Sequence, residues 1–244
     1  MEILKKELSV DSNQADPSGA LRSSDLLRII QDNVISYFES NNSGVNFTAE
    51  NHLIWIVSLY HIEIEDMPEY GDKIITRSWC SKKRHGFFTL HSEFEMGGKI
   101  IIKSVSNWTL LNSSTHTRAP LNLLPEFDYL TTGTEIKSPS VIKCNMSGSS
   151  YKFTVTYSMC DMNRHMNNTT YIGACEDALD AKYLRTHKLS KIDILFEREI
   201  KLGETINILY GSDGDRFEFT TEGENPRFII NLEFKEGEFK WYKI

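Results

Sequence analysis

The sequence is short of several things, and each shortage removes a class of function. Its four cysteines, Cys80, Cys144, Cys160 and Cys175, form no CxxC pair and no repeated spacing, which argues against both a zinc site and a disulfide framework. No stretch approaches the roughly 18 consecutive apolar residues of a membrane-spanning helix. The opening MEILKKELSV lacks the apolar core and small-residue cleavage site of a signal peptide. Positive charge is also in deficit: 27 Lys and Arg against 34 Asp and Glu give a net charge of -7, which disfavours nonspecific binding to nucleic acid or an anionic membrane. His52, His61, His85, His91, His116 and His187 are scattered at no metal-ligand spacing. These features predict a soluble, reduced, cytoplasmic protein with neither metal nor organic cofactor.

The rest is ordinary globular material. The 244 residues are 40% apolar, 25% charged and 11% aromatic, enough for one large core or two modest ones. Leu26, Leu27, Ile30, Val34 and Phe38 recur at helical spacing, as do Tyr171, Ile172, Cys175, Leu179 and Tyr183. Ser23 and Ser24 precede the first helix and Asn167 and Asn168 the second, side chains that suit free amides at a helix start. A short strand is predicted before each helix, KKELSV and YKFTVTYS, and only strands after it. Those strands are read at 52–65, 73–80, 87–95 and 99–112, then at 191–197, 204–210, 215–222 and 227–234, with EFKWYKI closing the chain. Gly97-Gly98 and Glu236-Gly237 are read as matching hairpin turns.

The order of elements repeats. A shift of 145 residues lays Asp16-Pro17-Ser18-Gly19-Ala20 over Asp161-Met162-Asn163-Arg164-His165, and a shift of 132 lays Met67 over Glu199. The reading is a first unit at 1–120, a Pro-, Gly- and Ser-containing linker at 121–150 and a second unit at 151–244. The copies differ where it matters. Ser, Ala and Met in the first stand against Asn163, His165 and Glu199 in the second, so one copy alone concentrates an imidazole, an amide and two acids.

The stretch DMNRHMNNTTYI at 161–172, with the later FEREI, resembles the signature of the acyl-acyl carrier protein thioesterases of plants and bacteria. HLIWIVSLYHIEIEDMPEYGDKI, KSVSNWTLLNSSTHTRAP and VDSNQADPSGALRSSDLL extend the similarity over nearly the whole chain, without the transit extension of the plant members, which points to the bacterial type. The resemblance implies an α+β chain with two tandem hot-dog folds, each a curved antiparallel sheet around a central helix. It also implies hydrolysis of fatty acyl-acyl carrier protein in fatty acid biosynthesis, with Asp161, Asn163, His165 and Glu199 as the catalytic set. The plant pattern has a cysteine after that glutamate, and this chain has Ile200, so a Cys-His mechanism does not transfer. Cys160 and Cys175 are read as packing residues.

Thioester hydrolysis needs an activated water and donors for the developing oxyanion. If 158–166 is extended, Asp161, Asn163 and His165 share one side. Glu199, with or without His165, would activate water, and Asn163 with the helix-start amides near Asn168 would hold the carbonyl. Asp161 would orient His165 or act as nucleophile, and Asn167 and Asn168 would position the loop and substrate. Trp55, Phe87 and Trp108 are candidates for the acyl pocket, expected in the first unit. Lys82, Lys83 and Arg84 are candidates for contact with the acidic carrier protein, with Arg185, His187, Lys188 and Lys191 as a second basic cluster. The expected state is a monomer or homodimer. Two other readings stay open: a hot-dog dehydratase acting on 3-hydroxyacyl thioesters, and a non-catalytic module that binds acylated carrier protein.

Overall fold

The computed structural model describes residues 3–84, 86–145 and 148–239. His85 and most of the closing segment EFKWYKI lie outside the described residues. In chain order the elements are β1 (Leu4–Ser9), α1 (Ser23–Ser40), α2 (Val45–Glu50), β2 (Leu53–Ile64), β3 (Lys73–Arg84), β4 (Phe87–Met96) and β5 (Lys99–Asn112). After these come β6 (Ser149–Thr154), α3 (Tyr171–Glu176), α4 (Ala181–Leu184), β7 (His187–Phe196), β8 (Thr205–Asp213), β9 (Arg216–Thr221) and β10 (Phe228–Glu236). Among the described residues, the ten strands form one antiparallel sheet in the order β1-β3-β4-β5-β2-β7-β10-β9-β8-β6. The second half of that order mirrors the first. The two halves meet where β2 pairs with β7, from Leu59 opposite Leu195 to Glu63 opposite Lys191. Among the described residues no helix is long and apolar enough to cross a membrane.

The helix α1 forms because its apolar residues fall on one face. Leu26, Leu27, Ile30, Val34 and Phe38 are all buried against the sheet, each contributing about 1.5–3 kcal/mol of burial. Phe38 stacks on Trp55 with ring centroids 3.9 Å apart and meets Trp108 edge-on at 5.7 Å. Several expectations need correction. Ser23 does not cap α1: Arg22 stands at the cap position without a side-chain cap, and Ser23 Oγ donates instead to Glu176 at 2.5 Å. A short α2 follows α1 before the strands begin. Beyond Thr154 the segment YKFTVTYS leaves the sheet and coils into a 3-10 turn at Tyr157–Met159.

The second helix is broken. The amides of Ala178 and Leu179 donate three residues back, to Cys175 and Glu176, which tightens and ends α3. Asp180 then caps a new start by accepting from Lys182 N at 2.8 Å. The Gly97-Gly98 turn is present, both residues at positive φ. No turn forms at Glu236-Gly237, because β10 runs to Glu236 and the chain continues without a partner strand through Phe239.

The linker is a strap. It must carry the chain from β5 in mid-sheet to β6 at the far edge; it begins in the core at Phe127 and then crosses the outer face. Phe127 packs against Tyr37 and Phe88, and Leu130 N donates to Cys80 O on β3 at 3.0 Å. Glu135 and Ser138 share a groove of about 810 Å³ with His91 and Asn107. Farther on, Asn231 Nδ2 on β10 donates to Lys143 O at 3.2 Å, and Asn145 N donates to Glu218 on β9 at 2.7 Å.

Candidate active site

The loop after the turn at Tyr157–Met159 is not extended. It folds back on itself: Cys160 bridges Met166, Asp161 N donates to His165 O at 3.0 Å, and Arg164 N donates to Asp161 O at 3.0 Å. Arg164 takes the left-handed conformation, φ 66°, that closes so tight a turn. The period-two argument therefore fails, yet the residues still converge. Asp161 Oδ1 accepts from Asn163 N at 2.8 Å, and Asn163 Nδ2 reaches Asp161 Oδ2 at 3.4 Å.

A second segment docks on this loop. Met166 N donates to Ile200 O at 2.8 Å and His165 bridges Lys201, which brings Glu199 to the imidazole. His165 Nδ1 lies 3.8 Å from Asp161 Oδ1 and Nε2 lies 3.6 Å from Glu199 Oε2. Both separations exceed a hydrogen bond, so the ring sits between two carboxylates without being locked to either. The side chains of Asp161, His165 and Glu199 keep 25%, 22% and 39% of their surface exposed, so a substrate can reach all three. Ile200 points the other way and is fully buried.

Two of the helix-start amides expected to hold the carbonyl are already engaged within the chain. Asn167 Oδ1 accepts from Thr169 N at 3.0 Å and from Thr169 Oγ1 at 2.9 Å, while Asn167 O accepts from Thr170 N at 2.9 Å. Those two amides are taken, and the chain runs on through a 3-10 turn at Asn168–Thr170 into the six residues of α3. Asn167 is thus a cap that fixes the loop exit, and Asn168 lies half-buried within the turn.

Arg227 and Lys201 of this neighbourhood carry no signal in the sequence, and Tyr171 is legible there only as a residue of the helix face. Arg227 donates through Nη1 to the carbonyl of Glu199 and through Nη2 to Glu204 Oε1, both at 2.6 Å. Lys201 Nζ stands 3.8 Å from Glu199 Oε1. Tyr171 lies beneath, its phenol pKa pushed up to about 12, first by burial and further by the charges of Glu199 and Asp161. Arg227 follows a proline at the start of a strand and grips a backbone carbonyl, a partner that no residue spacing encodes.

Other candidates fall elsewhere. Trp55 and Trp108 lie in the first-copy core, but Phe87 does not join them. Opposite Thr109 and under the Arg118 guanidinium at 4.7 Å, it faces outward, and Phe88, opposite Trp108, takes the inward place. Lys82, Lys83 and Arg84 do not form one patch. Lys82 and Arg84 project from the outer face, whereas Lys83 turns to Glu126 of the strap. In the second basic cluster, Lys188 pairs with Glu69 at 3.2 Å and Lys191 with Glu233 at 3.1 Å. Cys175 is fully buried and burial pushes its thiol well up, as suits a packing residue; Cys160 Sγ lies against Thr156 O at 3.6 Å.

The first copy repeats the loop without the chemistry. Asp16 N donates to Ala20 O at 2.8 Å, Gly19 N to Asp16 O at 3.0 Å and Leu21 N to Pro68 O at 2.7 Å, the same bonds as Asp161, Arg164 and Met166 make. Asp16 Oδ1 likewise accepts from Ser18 N at 2.7 Å.

Comparison with known proteins agrees with this duplicated plan. The family model described as the acyl-ACP thioesterase N-terminal domain matches residues 2–128, and that of the acyl-ACP thioesterase C-terminal domain matches residues 143–239. The chloroplastic acyl-[acyl-carrier-protein] hydrolase FATB1 of Cuphea viscosissima is 24% identical over 211 residues, 77% of this chain and 49% of its own length. The oleoyl-acyl carrier protein thioesterase 1 of Arabidopsis thaliana is 25% identical over 207 residues, 74% of this chain and 56% of its own. The chain thus spans about half the length of these curated relatives. An acyl-ACP thioesterase structure from Bacteroides thetaiotaomicron superposes with a TM-score of 0.79 at 18% identity, covering 96% of this chain and 98% of that one. The 12:0-ACP thioesterase of Umbellularia californica gives 0.80 at 15% identity, with 96% and 98% covered. The architecture is the hot-dog fold in tandem, both domain models fall on it in order, and the chain belongs to the acyl-ACP thioesterase family.

Proposed function

We propose that the chain hydrolyses the thioester of a fatty acyl-acyl carrier protein, releasing a free fatty acid and the carrier's thiol. The observation that carries this reading is the placement of His165 between the carboxylates of Asp161 and Glu199 in an open loop of one copy only. Glu199, held by its own backbone through Arg227, is placed to take a proton from water, directly or through His165. The hydroxide adds to the thioester carbon, the C–S bond breaks, and the proton leaves with the thiolate. Asp161 Oδ1 accepts from Asn163 N and faces His165 Nδ1 at 3.8 Å, which supports a positioning role over attack as nucleophile. Asn163 Nδ2, on its long 3.4 Å contact, is the donor free to turn toward the oxyanion.

The test is thiol release from a panel of acylated carrier proteins differing in chain length and unsaturation, with wild type beside His165→Ala. Turnover lost in a folded variant supports the reading and supplies the chain preference. Enoyl product without thiol would establish the dehydratase, and acyl-carrier binding without turnover would establish the binding module.

A further inference from the structure

The first copy keeps the turn of the catalytic loop and loses its reactive groups, with Ser18, Ala20 and Met67 at the places of Asn163, His165 and Glu199. It also keeps a cavity. A volume of about 370 Å³ opens beside that turn, lined by Ala20 and Met67 from the first copy and by Leu179, Leu184 and Phe234 from the second. This lies within the roughly 300–1,000 Å³ of small-molecule sites, which pair apolar walls with a few convergent polar groups. Charged groups border it as well, among them Asp16, Arg22, Arg185 and Lys188; the pair that links the two copies across it is Ser23 and Glu176, joined by the 2.5 Å bond from Ser23 Oγ to Glu176 Oε2. Burial pushes the Glu176 carboxyl up to about 7, so near neutral pH it both donates and accepts. An aliphatic chain suits such walls, and a second carboxyl suits such a partner.

We propose that this cavity is a non-hydrolytic binding site for a free fatty acid, its chain along the apolar wall and its carboxyl hydrogen-bonded to the Ser23–Glu176 pair. The site holds without cleaving, because Ala20 and Met67 stand where the other copy has its imidazole and its second acid. That the ligand is the acid released by the other copy rests on the proposed reaction; that a single aliphatic chain with a hydrogen-bonding head fits rests on the cavity alone.

Gly173 lies in the wall with nothing within 4 Å of an added Cβ, so a side chain there grows into the cavity and spares the core. The experiment titrates dodecanoic acid into the full chain by calorimetry, for wild type, Gly173→Phe and Ser23→Ala, with thiol release measured on each preparation. Wild type should show a binding component that Gly173→Phe weakens at least ten-fold and Ser23→Ala several-fold, with thiol release within two-fold of wild type. Identical isotherms for all three proteins overturn the site. Binding lost in Gly173→Phe alongside a wild type that releases no thiol would uphold the site and overturn the reaction.

Discussion

His165 stands at distances that let either neighbouring carboxylate claim it, and that geometry sets the expectations at the residue scale. Glu199→Gln should lower kcat by about 10²–10⁴ with little change in KM, since it removes a base and keeps the shape; turnover within ten-fold of wild type would exclude Glu199 as the base. Glu176 offers a stability test away from that chemistry. Its carboxyl is raised from 4.5 to about 7 in the folded chain, so folding favours the protonated form. The stabilising contribution is whole below about 4.5 and disappears as pH climbs through 7. Glu176→Gln should therefore gain about 1–3 kcal/mol relative to wild type between pH 5 and pH 8.5 in urea unfolding, and an unchanged difference would show that the carboxyl is solvated. The candidate residues were legible because DMNRHMNN concentrates chemistry in one copy and resembles a family signature. Their arrangement was not, because the turn depends on a left-handed Arg164, which the sequence does not announce as a glycine would.

At the scale of the element, alternation fixes a strand but not which way it faces. The pair Phe87-Phe88 illustrates this, since both suit β4 and only the register opposite Trp108 decides that Phe88 points inward. Phe88→Ala should cost about 3–5 kcal/mol and Phe87→Ala no more than about 1 kcal/mol, the worth of an exposed cation–π contact; equal losses in denaturant titration would reverse the assignment. The break after α3 was hidden for a related reason. Tyr171, Ile172, Cys175, Leu179 and Tyr183 keep helical spacing straight through it, and only the capping geometry of Asp180 marks the new start. Strands β2 and β5, by contrast, fall within a residue or two of their predicted bounds, because β-branched and aromatic runs between turn residues leave no competing structure.

For the whole molecule, the ladder between β2 and β7 makes one sheet of two halves. His61 Nδ1 meets Asp193 Oδ1 across that seam at 2.5 Å, both side chains buried. Asp193→Ala leaves the buried Nδ1 of that imidazole without its hydrogen-bond partner and should cost about 1–3 kcal/mol, read from the urea midpoint. Wild type should unfold in one transition by both fluorescence and circular dichroism, whereas separate midpoints for the two halves would show the seam to be weak. The strap was not visible in the Pro-, Gly- and Ser-containing composition of 121–150, since its contacts join residues far apart along the chain. The seam also has a meaning in time. A nascent chain completes β5 at Asn112 but has no β7 until Phe196 is made, on the order of ten seconds at 5–20 residues per second. Throughout that interval β2 is a bare edge on the ribosome, open to any passing strand, so the half-made protein runs its greatest risk of aggregation before its second copy has been translated.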